Sequence, residues 1–249
     1  MQSANPLFYK SIVPVDSQRH RSVRMFRPLR PLAYAREANL IPALVDEFDL
    51  AMADIAIAFL PGAEGPSAVF VTGAAPGTNV YVTDSGLWNG AYVPAYLRRY
   101  PFIIGDVTET NSVLCIDETY AGLGETEGER FFSDTGVQEA ALSSALVLAQ
   151  SYRDTAARTE VFCAMLSDFG LLQTATLDTT NPDGSKTVVH GLLIVDEMAL
   201  AALPADKLHA LHQAGYLRAI YAQIASLRAV SKLSSPVRVK RRSGGKATD

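Results

Sequence analysis

An α+β fold is what this sequence predicts, and three observations carry the prediction. Short β-branched, apolar runs alternate with Gly- and Pro-rich breaks through the first half. Apolar residues recur at spacings of three and four through long windows of the second half. Between those windows one hairpin pattern, Leu171–Val195, returns to strand character. The expected architecture is a largely antiparallel sheet from the first half, extended by that hairpin and packed by long helices from the second half.

In chain order, Phe8–Val15 is rich in Ile and Val and predicts a strand ending near Pro14. A basic segment follows, with Arg19, Arg21, Arg24, Arg27, Arg30, Arg36 and His20 and no acid among them. Pro28 and Pro31 exclude a continuous helix there, so the segment is a solvated loop or an arm docking on an acidic surface. Leu40–Leu44 predicts a short strand, and Val45–Met52 a short helix with Phe48 and Met52 one turn apart. Ile55–Leu60 and Ala68–Val71, separated by a Pro/Gly loop, predict two strands, and Asn79–Val82 a further one turning at Asp84-Ser85-Gly86 toward Trp88. Phe102–Ile104 and Val113–Ile116 add two more. Around them lie Asp106, Glu109, Asp117, Glu118, Glu125, Glu127 and Glu129, an acidic region suited to the arginine-rich arm.

The helical half opens after Asp134. Leu148, Tyr152, Thr155, Thr159, Phe162, Leu166 and Phe169 form one seam. A helix over Val137–Phe169 would run about 50 Å, so it is expected to bend or to divide in two, with Gly170 as its stop. Asn181–Gly184 predicts the hairpin turn, Asp196-Glu197 a helix start, and Pro204 another helix running to Gly215. Tyr216–Val230 predicts an apolar helix with Leu217, Ile220, Tyr221, Ile224 and Leu227 on one side. The expectation is a single domain over residues 1–234 and a disordered basic tail over 235–249.

Composition narrows the function classes. Of 249 residues, 48% are hydrophobic and 19% charged, which places the chain among folded proteins and not disordered ones. Arg238, Lys240, Arg241, Arg242 and Lys246 against Asp249 give the tail +4, so a total of −4 leaves −8 for the rest. An acidic body is unlike a nucleic-acid-binding domain, which carries a basic face on its folded part. The most apolar window, Leu50–Leu60, contains Asp54 and is far shorter than the roughly 20 residues a spanning helix needs. No secretory signal pattern opens the chain, so a cytoplasmic location is expected, with non-classical export to the surface open. Cys115 and Cys163 lie in apolar surroundings and are expected as buried free thiols.

No reaction motif emerges, and no cofactor or metal is expected. His209 and His212 share a helical face but lack further ligands for a zinc site. There is no Gly-x-Ser-x-Gly elbow. Cys115 with His190 is a conceivable dyad, although Leu114 and Ile116 argue for a buried, inert thiol. Gly73-Ala74-Ala75-Pro76-Gly77 follows a strand but is no dinucleotide fingerprint. Asp117 and Asp196 are a possible converging carboxylate pair of the kind glycoside hydrolysis uses.

The candidate site is the stretch Trp88–Phe102, and within it Trp88, Tyr92, Tyr96, Arg98, Arg99 and Tyr100. Trp, Tyr and Arg dominate recognition hot spots because they combine area with directional hydrogen bonds. A short helix opened by Pro94 and stopped before Pro101 would put Tyr96 and Tyr100 on one face and turn Arg98 elsewhere. The same residues also fit a purely structural role, sealing a core edge with the arginines paired locally.

At Tyr92-Val93-Pro94-Ala95-Tyr96-Leu97-Arg98-Arg99-Tyr100-Pro101-Phe102 the chain resembles the SapC family of bacterial proteins. Leu114-Cys115-Ile116-Asp117-Glu118, Gly191–Glu197, Leu211–Leu217, Ile220-Tyr221-Ala222 and Ser226-Leu227 carry the resemblance further, over roughly Asn5 to Leu233. The family takes its name from a protein connected with a bacterial crystalline surface layer and has no generally established enzymatic activity. Some relatives carry a transport-permease label, which the absence of a spanning segment in this sequence does not match. Relatives also tend to be encoded near flavin-dependent halogenase-like and cupin-type oxygenase-like proteins and outer-membrane receptors. The resemblance therefore implies a non-enzymatic accessory or surface-layer-associated protein with a protein or peptide partner. The alternative is a small enzyme, or a partner subunit of an oxygenase- or halogenase-type system, binding a small molecule or peptide.

Overall fold

The structure is a computed structural model that describes residues 5–108, 111–180, 184 and 186–233. The strands are β1 (Ile12–Pro14), β2 (Arg24–Met25), β3 (Leu40–Pro42), β4 (Ala56–Leu60), β5 (Ser67–Val71), β6 (Phe102–Thr108), β7 (Asn111–Asp117), β8 (Leu123–Gly124), β9 (Glu129–Arg130), β10 (Leu172–Thr180) and β11 (Lys186–Val195). The helices are α1 (Phe48–Ala51), α2 (Ala95–Arg99), α3 (Ala140–Asp168), α4 (Glu197–Ala201), α5 (Ala205–Gln213) and α6 (Leu217–Ser226). The fold class is α+β, with antiparallel sheets packed by the long α3. The basic tail, 235–249, and the hairpin turn at 181–183 lie outside the described residues.

The expected single sheet is instead three: β10-β11-β4-β5-β3, β1-β7-β6 and β8-β2-β9. The β4–β5 pair is flanked on both sides, by β11 and β3, while β6 and β7 pair with each other and with the distant β1. In β4, Ala56, Ile57, Ala58 and Phe59 are all buried, so both faces of that strand are covered. The Phe59 ring meets Phe48 of α1 and Phe162 of α3.

Two side chains of α6 complete the sheet in a way the apolar pattern does not announce. β11 and β4 share a single registered pair, Leu193 with Phe59. Gln223 spans the gap: its Nε2 donates to Ile57 O at 2.9 Å and its Oε1 accepts from Val195 N at 3.1 Å. Ser226 Oγ accepts from Ile57 N at 2.9 Å. Both polar residues are fully buried and satisfied, whereas Tyr221, expected on the inner side, is exposed.

Two further expectations change, and the alternative left open for the arginine-rich arm is decided. Helix α3 is a single helix of 29 residues, about 43 Å along its axis, and is not divided in two. No Pro or Gly interrupts it, and two apolar clusters grip it along its length. The expected seam is its buried face, and Thr159 within it accepts from Val45 N at 2.9 Å. Asn79–Val82 is not a strand; only Val82 bridges to Trp88. Asn79 captures the local backbone, donating to Ala35 O and accepting from Tyr81 N, both at 3.0 Å. The arginine arm docks within the protein: β2 is sandwiched between β8 and β9, and Arg19 pairs with Glu118 at 2.7 Å.

Candidate functional site

Three buried carboxylates hold the stretch 88–102 in place, each by accepting hydrogen bonds. Asp54 Oδ2 accepts from Ala91 N at 2.6 Å and Tyr92 N at 3.2 Å, while its Oδ1 takes Lys232 Nζ at 2.8 Å. Glu47 Oε1 accepts from Tyr92 OH at 2.7 Å and Ala95 N at 2.6 Å, and its Oε2 accepts from Leu44 N at 3.0 Å. Asp117 accepts from Lys10 N, Ser11 N, Thr119 N, Thr119 Oγ1 and Tyr100 OH, all within 2.8–3.2 Å. The acids are thereby committed to backbone N–H groups, to tyrosine and threonine hydroxyls and, at Asp54, to the Lys232 ammonium. Burial pushes the Glu47 carboxyl above the usual glutamate range, against those three bonds. For Asp54 and Asp117 burial also acts upward, but the donors outweigh it and hold both below the usual range.

The loop before the helix closes on Trp88. Its ring stacks on Tyr81 with centroids 5.1 Å apart, and its Nε1 donates to Tyr92 O at 2.7 Å. Gly90 fits between these parts because it lacks a Cβ, which would lie 2.7 Å from both Asp54 Oδ2 and Trp88 Nε1. Pro94 then opens α2, and the Glu47 carboxyl sits on its first N–H.

Along α2 each residue turns by about 100°, so adjacent arginines diverge. Arg98 is exposed. It donates from Nε to Val93 O at 3.1 Å and from Nη2 to Tyr92 OH at 3.3 Å. Arg99 is 7% exposed, its guanidinium 3.9 Å from the ring centroid of Tyr152, 4.6 Å from Tyr96 and 5.6 Å from Tyr9. Tyr96 is buried and donates to Leu7 O at 3.0 Å. Tyr100 leaves the helix with an extended backbone, as a residue before proline does. It therefore shares no helical face with Tyr96, and both rings nonetheless reach Phe8.

Of the six predicted residues, then, Tyr96 and Arg99 face inward, Arg98 faces outward, and Trp88, Tyr92 and Tyr100 are half-buried. The structure brings Tyr92 and Arg98 together directly, and Tyr96 and Arg99 together in a separate aromatic cage. Sequence reasoning missed Tyr9, Tyr34, Tyr120 and Tyr152 as parts of this cluster, and Glu47 and Asp54 as its anchors. Burial raises the hydroxyls of Tyr9, Tyr34 and Tyr152 well above the usual tyrosine range, so these stay neutral, and Tyr9 donates to Phe102 O and Tyr34 to Leu97 O.

Arg99 is energetically unusual. Among the described residues no carboxylate lies within ion-pair distance of it, and its Nε–H has no acceptor. Desolvating a lone cation costs several kcal/mol, while a cation–π contact returns about 0.5–2 kcal/mol. Three such contacts offset that cost in part. Beside Arg99 a cavity of about 420 Å³ opens between α2, β6 and the start of α3, and Arg98 also lines it.

The other constellations are not assembled. Cys115 lies in the three-stranded sheet and His190 is exposed on β11 of the five-stranded one. Burial raises both thiols, that of Cys163 to about 12. Asp196 caps α4, accepting from Met198 N and Ala199 N, far in role from Asp117. His209 and His212 are exposed. Among the described residues no group of three or more His, Cys, Asp or Glu is placed to hold a metal, and no helix is long and apolar enough to cross a membrane.

Comparison with known proteins agrees with the motif. No curated protein and no solved structure matches the chain. The SapC family model matches residues 15–233, which takes in every element from β2 to α6 together with the whole of the candidate site. This chain belongs to the SapC family.

Proposed function

We propose that this protein is a non-enzymatic accessory protein that binds an acidic protein or peptide partner through a surface centred on Arg98 and Tyr92, with the half-buried Trp88 and Tyr100 of the same stretch contributing. The observation that carries the reading is the state of Arg98. It is exposed, fixed by two hydrogen bonds to its own segment, and in contact with no carboxylate among the described residues. An arginine held in one pose loses little rotamer freedom on binding, which favours recognition. The buried carboxylates nearest this surface, Glu47, Asp54 and Asp117, are occupied by backbone donors, which supports a binding role. Within the family's setting the partner is a component of the bacterial surface layer or of its assembly. The location that goes with this role is the cytoplasm followed by export without a classical signal, which cell fractionation checks. The recognition claim is tested by cross-linked capture from native lysate, comparing wild type with Arg98→Ala by quantitative mass spectrometry.

A second reading, a partner subunit of an oxygenase- or halogenase-type system that binds a small molecule, is favoured by the cavity that both arginines line. The screen that tests it is thermal shift with small aromatic and aliphatic compounds.

A further inference from the structure

We infer that the cavity beside Arg99 is a binding site for a small organic carboxylate with an apolar body, the carboxylate neutralising Arg99. This rests on the small-molecule reading above. Arg99 is more than nine-tenths buried, lacks any carboxylate partner among the described residues, and leaves its Nε–H without an acceptor. A buried cation in that state calls for an anion, and the described residues supply none.

The cavity beside it fits the rest of the ligand. Its volume, about 420 Å³, falls in the range of small-molecule sites. Met25, Phe102 and Leu148 give it an apolar wall, and Ala141 and Ala145 present a small-residue face of α3 that leaves the room open. Arg98 and Arg99 stand against one acid in the lining, Glu129, so the lining is net positive. Exposed Arg98 and Glu129 among the lining residues show that the cavity reaches solvent. Guanidinium groups match carboxylates in planar, bidentate geometry, and the apolar lining selects a hydrocarbon body over inorganic phosphate.

The test is isothermal titration calorimetry on the full chain with phenylacetate, phenylacetamide and inorganic phosphate. Phenylacetate should bind at least tenfold more tightly than phenylacetamide or phosphate. Ala141→Phe, which fills the cavity from a partly exposed helix position without touching Arg99, should weaken phenylacetate at least tenfold while the melting temperature holds. Arg99→Met should do the same; if that variant does not fold, Ala141→Phe decides. Equal affinity for acid and amide, or unchanged binding in Ala141→Phe, overturns the carboxylate inference. If the amide binds as well as the acid, the small-molecule reading survives and this inference fails; if neither binds, both fail.

Discussion

The guanidinium of Arg99 stands 3.9 Å from the ring centroid of Tyr152, so α2 and α3 meet through a buried cation on an aromatic face. One residue earlier, Arg98 points to solvent and contacts only its own segment. The arginine pair is thus two devices: one belongs to the interior, the other to the surface.

Truncating the inner arginine should be costly for packing, not for charge. Arg99→Ala should lower stability by about 2–5 kcal/mol, the range for removing a long buried side chain. Arg99→Met keeps most of the volume and removes the desolvated charge, so its loss should stay below about 1.5 kcal/mol. Chemical denaturation of the two variants checks the difference.

Glu47 predicts a loss of stability on raising the pH. Its folded value is raised, chiefly by burial, so the folded state holds the proton more tightly than the unfolded one. Stability from this group is full below the usual glutamate value and falls as pH rises through the raised value. Glu47→Gln should abolish that slope. It should also cost about 1–3 kcal/mol, because an amide cannot accept from Leu44 N, Tyr92 OH and Ala95 N together.

Asp117 has the opposite sign. Burial raises it, but five donors win and hold it low, so its contribution is present above the usual aspartate value and lost as pH falls through the folded one. Asp117→Asn should flatten this acid limb and cost about 1–3 kcal/mol at neutral pH by leaving buried donors unpaired. Hydrogen exchange at Lys10 and Ser11 should speed up in the variant.

At Gly90, alanine would place a methyl against Asp54 and Trp88, both held by their own hydrogen bonds. Gly90→Ala should destabilise by about 1–3 kcal/mol and shift Trp88 fluorescence, since overpacking must displace the ring or the carboxylate.

Local signals made much of this legible, and long-range ones did not. β4, β5 and the β10–β11 hairpin read directly from β-branched runs and turn residues, and the α3 seam from its spacing. Pro94 and Pro101 bounded α2 as expected. The division into three sheets rests on pairings between strands far apart in sequence, such as β1 with β7 and β11 with β4, which no local window reports. The roles of Glu47, Asp54 and Asp117 depended on backbone donors 37 to 107 residues away in most cases. Gln223 and Ser226 add nothing to the apolar pattern of their helix and are its link to β4 and β11. At the site, spacing could separate Arg98 from its helical neighbours, but only tertiary packing could send Arg99 inward onto tyrosines from three parts of the chain.

The recognition role of Arg98 is tested most directly by quantitative capture from native lysate with wild type and Arg98→Ala, paired with thermal melts. The account predicts a stability change within about 0.5 kcal/mol, as for an exposed surface substitution. It also predicts at least a tenfold drop in a partner that wild type enriches. Unchanged capture of that partner by a fully stable Arg98→Ala would contradict it.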